Sequence, residues 1–275
     1  KMREYKRWTA LRNEDDVRFI GLTIPRYVIR KPYNQDGVKL SHSWFAEIAD
    51  HASDYLWANA AYAYASVVID TFSRDGWFSE IQGLNPKTGL GGVVPGLDRQ
   101  YFSTDRLGAM PKMITETLIT DDQERRLSDY GFIALKDHPG SEKSVFYSSR
   151  SLQLARRYDR LTASANAKIS SMLHYVLCIS RFAHFIKVLA RNKIGSFASA
   201  ADCEAYLQRW LQQYCSQADF QESDMRAKYP LREGLVKLQE KPGRPGEYFC
   251  VMHLKPHYQI DSIESQLRLV TPVAV

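Results

Sequence analysis

His174 and Cys178 stand four residues apart. On a helix they share a face, and an imidazole beside a thiolate is the start of a zinc site. A tetrahedral site needs two further ligands, and no other Cys or His has a suitable spacing, so the pair reads as a core histidine beside a core thiol. Residues 87–92 (KTGLGG) invite comparison with a phosphate cradle. Such loops need Gly-x-x-x-x-Gly-Lys-Ser/Thr or Gly-x-Gly-x-x-Gly between a strand and a helix. Here Lys-Thr precedes the glycines and no helix follows, which predicts a tight structural loop. His184, His253 and His257 have no serine or carboxylate arrangement around them that marks a triad, and the nucleophile-elbow and His-Glu-x-x-His patterns are absent. We therefore expect no catalytic, cofactor-binding or metal-binding residues, and a protein that is not an enzyme.

The chain has 275 residues, 44% hydrophobic and 25% charged, the balance of a folded globular protein with room for one large domain or two modest ones. No apolar run reaches the roughly 18 residues of a membrane-spanning helix. The most apolar region, residues 172–190, is interrupted by His174, Arg181, His184 and Lys187. Charge also interrupts the first residues, unlike a signal peptide. The cysteines at 178, 203, 215 and 250 are scattered, which points to free thiols in a reducing, cytoplasmic setting. The net charge of +6 sits mainly in residues 1–40 and 161–200. In the second stretch Lys168, Arg181, Lys187, Arg191 and Lys193 scatter around the helical wheel, so no stripe forms that could track phosphates.

The elements that must position these residues follow from periodicity and punctuation. A helix to about Arg12 is followed by a buried strand over 17–24, ended by Pro25, and an extended piece over 27–33. Residues 43–72 read as helical, as a short helix and then a long one. Residues 113–119 read as a strand, Thr120 as the cap of a helix over 121–130, and 132–135 and 144–147 as short strands. Residues 163–192 read as one helix of about eight turns, apolar on most of its circumference and so buried on several sides. Ser199 opens an amphipathic helix to about Gln213, with Cys203, Leu207, Trp210 and Tyr214 on its apolar side. Residues 234–240, 247–255 and 262–271 then alternate as three strands, antiparallel where the turn is short. The fold class is α+β: a mixed sheet with packed helices first, then a long buried helix and a small antiparallel sheet at the C-terminus.

That last sheet stands out. Val236 and Leu238 fall on one face of its first strand, and Leu235, Lys237 and Gln239 on the other. Little sequence is left to cover both edges, and unpaired edges recruit other chains. Lys237, Lys255 and Pro256 are blunting residues, yet residues 248–254 and 266–270 suit strand addition by a partner. A sheet completed within the same chain is the other reading.

Several segments resemble the large sheath subunit of bacterial type VI secretion systems, the TssC or VipB family. They are residues 180–197 (SRFAHFIKVLARNKIGSF), 228–234 (KYPLREG), 242–248 (PGRPGEY) and 253–260 (HLKPHYQI). Residues 21–26 (GLTIPR), 30–33 (RKPY) and 127–135 (LSDYGFIAL) match in the same order, so the resemblance runs along nearly the whole chain. Asn192 replaces the usual Asp, and Lys255 and Tyr258 the usual Arg and Phe. The family's N-terminal portion has no counterpart, as expected for a C-terminal fragment of a longer protein.

The resemblance implies a phage tail-sheath-like fold and a structural subunit of a contractile sheath. It implies pairing with a small sheath subunit (TssB, or VipA), stacking with other copies around an inner tube of Hcp, contraction that drives the tube outward, contact with the baseplate, and disassembly by the ATPase ClpV. Residues 1–160 would then be an outer and middle sheath domain, completed by the missing N-terminal half and the small subunit. Residues 161–275 would be an inner domain with interlocking strands, carried by Val236, Leu238, Phe249, Val251, Leu267, Leu269 and Val270. Glu222 and Asp224, in an acidic connector, would face the inner tube. Nucleic acid is not an expected partner, and the chain is not expected to be membrane-embedded. On the residues alone, two other classes stay open: a soluble α/β enzyme with an unrecognised spatial site, and a basic nucleic-acid-binding module.

Overall fold

The computed structural model describes residues 5–33, 45–78, 80–86, 88–100, 113–138, 141–192, 199–216, 229–244, 247–256 and 267–274. The chain divides into two compact units, one of residues 1–71 and 80–153, the other of 72–79 and 154–275.

The first unit opens with helix α1 (Tyr5–Arg12), whose Trp8 stacks on Phe132 with ring centroids 5.6 Å apart. It continues with β1 (Leu22–Ile24), β2 (Tyr27–Val28), β3 (Trp57–Ala58), α2 (Ala60–Asp75), β4 (Val93–Val94), α3 (Asp121–Asp129), β5 (Phe132–Asp137) and β6 (Ser144–Phe146). Four strands form a mixed sheet in the order β1-β5-β6-β4, with β1 parallel to β5 and the other neighbours antiparallel. β2 and β3 pair separately. Ile133, Ala134 and Leu135 of β5 are wholly enclosed, as in a central strand covered on both faces. α2 turns Ala60, Ala63, Tyr64, Val67 and Thr71 inward at helical spacing, and Tyr64 meets Phe146 edge-on at 5.0 Å. Thr120 caps α3 in a reciprocal box with Gln123.

Three expectations for this unit are corrected. The strand over 17–24 shrinks to Leu22–Ile24, because Asp16–Phe19 is a 3-10 turn. Arg18 folds back there, donating to the Asp15 carbonyl at 2.8 Å and its carboxylate at 3.0 Å, a local alternative to the ladder. Among the described residues of the expected 43–72 stretch, the α-helix starts only at Ala60. Before it lie a 3-10 turn at Ala52–Asp54, held by the Asp54 carboxylate accepting from the His51 amide at 2.9 Å, and the pairing of Trp57 with Val28. Residues 113–119 form no strand among those described. Thr115 makes one bridge to Tyr27, while neighbouring main-chain groups bond to Val28 and Arg26.

The second unit holds α4 (Leu161–Ser170), α5 (Leu173–Asn192), α6 (Ala200–Gln212), β7 (Leu231–Glu240), β8 (Glu247–Pro256) and β9 (Leu267–Ala274). The expected single helix over 163–192 is broken at 171–172. Ser170 and Ser171 donate their hydroxyls to the carbonyls of Ala167 and Lys168 at 2.9 and 2.7 Å, and this back-bonding helps end α4. α5 is the one helix among the described residues that is long and apolar enough to cross a membrane by length and composition, which the interruptions in its sequence did not suggest. Its Phe182, Ile186 and Ala190 lie in the core of this unit with Cys203, Leu207 and Leu211 of α6 and Val236, Cys250 and Met252 of the sheet. Trp77 stacks on Phe182 at 4.6 Å, and Arg181 lies over the Trp77 ring while donating to the Gly76 carbonyl. The three strands are antiparallel in the order β7-β8-β9. β9 runs past the expected end at 271 to Ala274, and residues 262–266 of the expected strand lie outside the described residues. The α+β class holds: mixed sheet with helices, then a long helix and a small antiparallel sheet.

Candidate assembly site

β7 and β8 run ten residues each and β9 eight. Strand alternation divides the expected assembly residues between two faces. Val236 and Leu238, with their register partners Met252 and Cys250, lie on the side of α5 and α6. Val236 is buried and Leu238 half-buried. Phe249 and Val251, opposite Gln239 and Lys237, lie on the other face. Val251 is buried, and Phe249 is half-buried with Lys241 over its ring. In β9, Leu267 is in register with Leu254, Leu269 with Met252 and Val270 with Val251. The expected tube-facing residues Glu222 and Asp224 lie outside the described residues.

The two edges of this sheet differ. On β7, Val236 donates its N–H to Gln208 Oε1 at 2.7 Å, and Gln208 Nε2 donates to the Gly234 carbonyl at 2.9 Å. Leu238 donates to Glu204 Oε2 at 2.7 Å. Further along, Leu231 exchanges main-chain bonds with Tyr214 and Ser216. Close approach of α6 requires Gly234, since a Cβ there would lie 2.7 Å from Leu211 Cδ2. Sequence reasoning missed Gln208 and Glu204. The available signal was two long polar residues one turn apart, beside the apolar stripe Cys203, Leu207 and Leu211.

Alternate residues of an antiparallel strand aim their main-chain groups at opposite edges. Val236 and Leu238 aim theirs at α6, so the pairs they form with Met252 and Cys250 are not the hydrogen-bonded ones. Met252 and Cys250 consequently face β9, pairing with Leu269 and Thr271. Arg268, Val270, Pro272 and Ala274 are left pointing away from β8. Among the described residues β9 has a ladder partner on one side only. Its outward edge offers N–H and C=O groups at Arg268 and Val270, while Pro272 offers a carbonyl but no N–H. This is an edge able to receive a strand along its first half.

The residues weighed for chemistry take other roles. Burial pushes the Cys178 and Cys250 thiols up to about 12 and that of Cys215 to about 11, so they stay protonated. None of the four cysteines is in a disulfide. Burial also drives His174 down to about 4. No group of three or more His, Cys, Asp or Glu that could hold a metal occurs among the described residues. In the glycine loop, the amides of Gly83, Asn85, Gly89 and Gly92 all donate to protein carbonyls at 2.8 Å. A Cβ at Gly92 would sit 2.3 Å from the Phe146 carbonyl oxygen, so the glycine serves close packing on β6.

The chain is α+β, with a mixed sheet, a long helix and a small antiparallel C-terminal sheet whose last strand has one ladder partner among the described residues. Residues 1–153 match the EvpB/VC_A0108 tail sheath N-terminal domain, and residues 162–273 match the EvpB/VC_A0108 tail sheath gpW/gp25-like domain. The chain belongs to this TssC/VipB family of type VI secretion sheath proteins. It is similar to the type VI secretion system sheath protein TssC1 of Pseudomonas aeruginosa, with 36% identity over 271 residues. That match covers 98% of this chain and 54% of the relative, so the chain spans about half the length of the curated relative it matches.

Proposed function

We propose that this chain is a structural subunit of a type VI secretion contractile sheath. It polymerises with a small sheath subunit of the TssB or VipA kind, and with other copies of itself, around an Hcp inner tube. Contraction of the sheath drives the tube outward, the baseplate meets the sheath at its end, and ClpV acts on the contracted form. The chain works in the cytoplasm, is not embedded in a membrane, and neither catalyses a reaction nor binds nucleic acid. Residues 1–160 serve as the outer and middle part and residues 161–275 as the inner part, with Glu222 and Asp224 toward the tube.

The observation that carries this reading, beside the family, is the outward edge of β9. Head-to-tail contacts that do not close into a ring generate helical filaments. Main-chain hydrogen bonds across subunits would tie such a lattice together while the flanking parts rotate. The ladder also says which substitution tests it. The Val270 N–H points away from β8, so Val270→Pro removes an outward donor and spares the β8–β9 bonds, as proline can in an edge strand. Expressed in the full-length protein with its small subunit, Val270→Pro is expected to give folded, soluble subunits and no sheaths in electron micrographs. Sheaths of normal length and number from this variant would overturn the reading.

A further inference from the structure

We propose that Gln208 and Glu204 determine where the C-terminal sheet can grow: they close the β7 edge to incoming strands, so that addition is confined to the β9 edge. The inference rests on the strand-addition reading above, and names the residues that give it direction.

A ten-residue edge strand with free main-chain groups would template pairing with any extended segment. On β7 the Gly234 carbonyl and the Val236 and Leu238 N–H groups are engaged in series. The Gln208 amide carries a donor and an acceptor, like a peptide unit, and it bonds the Gly234 carbonyl and the Val236 N–H that flank Leu235. A residue of a parallel strand would take these same two groups. Main chain makes the same pattern at Leu231, where Cys215 forms a parallel bridge. Glu204 completes the series as an acceptor for Leu238, and a charged acceptor makes the stronger hydrogen bond.

Helix geometry makes the fit possible. Residues four apart on a helix rise about 6 Å. Successive same-side residues of a strand are about 6.8 Å apart. Glu204 and Gln208 therefore meet Leu238 and Val236 in step. Both side chains are half-buried, so an invading strand would have to expel them and leave their polar atoms to be resolvated. Among the described residues β9 has a ladder partner on one side only, and its register turns the main-chain groups of Arg268 and Val270 outward.

The test uses the 275-residue chain and two readouts. In amide hydrogen exchange, Gln208→Ala is expected to speed Val236, and Glu204→Ala to speed Leu238, each by about tenfold or more. Val251, whose N–H faces β7, should be unchanged, and Glu204→Gln, which keeps an acceptor, should restore slow exchange at Leu238. In light scattering, association of the parent chain should be lost in Val270→Pro. It should return in Gln208→Ala/Glu204→Ala/Val270→Pro, now through β7. Unchanged exchange at Val236 and Leu238, or a triple variant as dispersed as Val270→Pro, overturns the proposal. Association that survives Val270→Pro alone counts against strand addition at β9, and the exchange result then decides whether the β7 edge is closed.

Discussion

The two units of this chain handle the edges of their sheets in different ways. In the first, the edge strands β1 and β4 are three and two residues long, and the long central strand β5 is enclosed between its neighbours. Short edges give another chain little to pair with. In the second unit the edge strands are ten and eight residues long. There one edge is occupied by side chains of a helix, while among the described residues the other has no second ladder partner. A long edge left without cover is a liability for a free subunit and an asset for one that assembles. Under the proposed function, the second unit is the part suited to joining subunits.

The sharpest way to break this comparison is to put proline on each side of the β8 ladder. The Val251 N–H faces β7, in register with Lys237. Val251→Pro removes an internal bond of a central strand and is expected to cost more than about 3 kcal/mol, collapsing the sheet. Val270→Pro is expected to cost about 1 kcal/mol or less, because the lost N–H pointed outward. Urea denaturation followed by circular dichroism compares them. Equal losses would show that the two valines do not lie on opposite sides of a ladder.

A smaller effect tests the closed edge. Gly234→Ala places a methyl 2.7 Å from Leu211 Cδ2 and 3.1 Å from Cys215 Sγ. Leu211 is wholly buried, so α6 must shift off β7. Such overpacking costs roughly 1–3 kcal/mol. Exchange at Val236 should rise with it, because the Gln208 bond is stretched. A stability equal to that of the parent would mean that α6 does not need its close seat.

The contrast between the edges was only half legible in the sequence. The three C-terminal strands, the face of Val236 and Leu238, and the helix opened by Ser199 follow from alternation and helical spacing. Both signals come from contacts repeated along one element. What closes β7 is a pair of side chains on α6 bonding to main chain 26 to 34 residues away, and no periodicity records that. The break between α4 and α5 was hidden for the opposite reason. Serine is unremarkable in a helix sequence, and only the rotamers of Ser170 and Ser171 reveal that they bond back. In the first unit, Arg18 with Asp15, and Asp54 with the His51 amide, made local hydrogen bonds that overrode the strand and helix patterns around them. The outward set of β9, including Val270, became readable only when the bonds of Val236 and Leu238 fixed the phase of the ladder.

Thr120→Ala sharpens the comparison from the other side. The capping box joins Thr120 to Gln123 at the start of α3, wholly within the first unit. Losing a threonine cap costs about 1 kcal/mol, within a range of roughly 0.5–2. Thermal unfolding should shift to lower temperature, while exchange at Val236 and Leu238 stays at parent values. A change at those two amides would show that the edges of the second unit depend on the first.

The smallest effect concerns an ion pair at the surface of the first unit. The Arg30 guanidinium bonds both Glu47 oxygens at 2.7 and 2.8 Å, and the Tyr33 amide donates to the same carboxylate. These bonds hold Glu47 down at about 2, against an ordinary 4.5. Between those values the unfolded chain binds a proton that the folded chain does not, so folded stability falls as pH drops through that window. Above it the contribution is fully present, though solvent and salt screen a partly exposed pair. Glu47→Gln removes the titrating group while keeping an acceptor for Tyr33. The variant should therefore be slightly less stable than the parent at pH 7 and lose less between pH 5 and pH 2.5, with exchange in the β7 edge unaffected. An acid loss as steep as the parent's would mean that other carboxylates carry it.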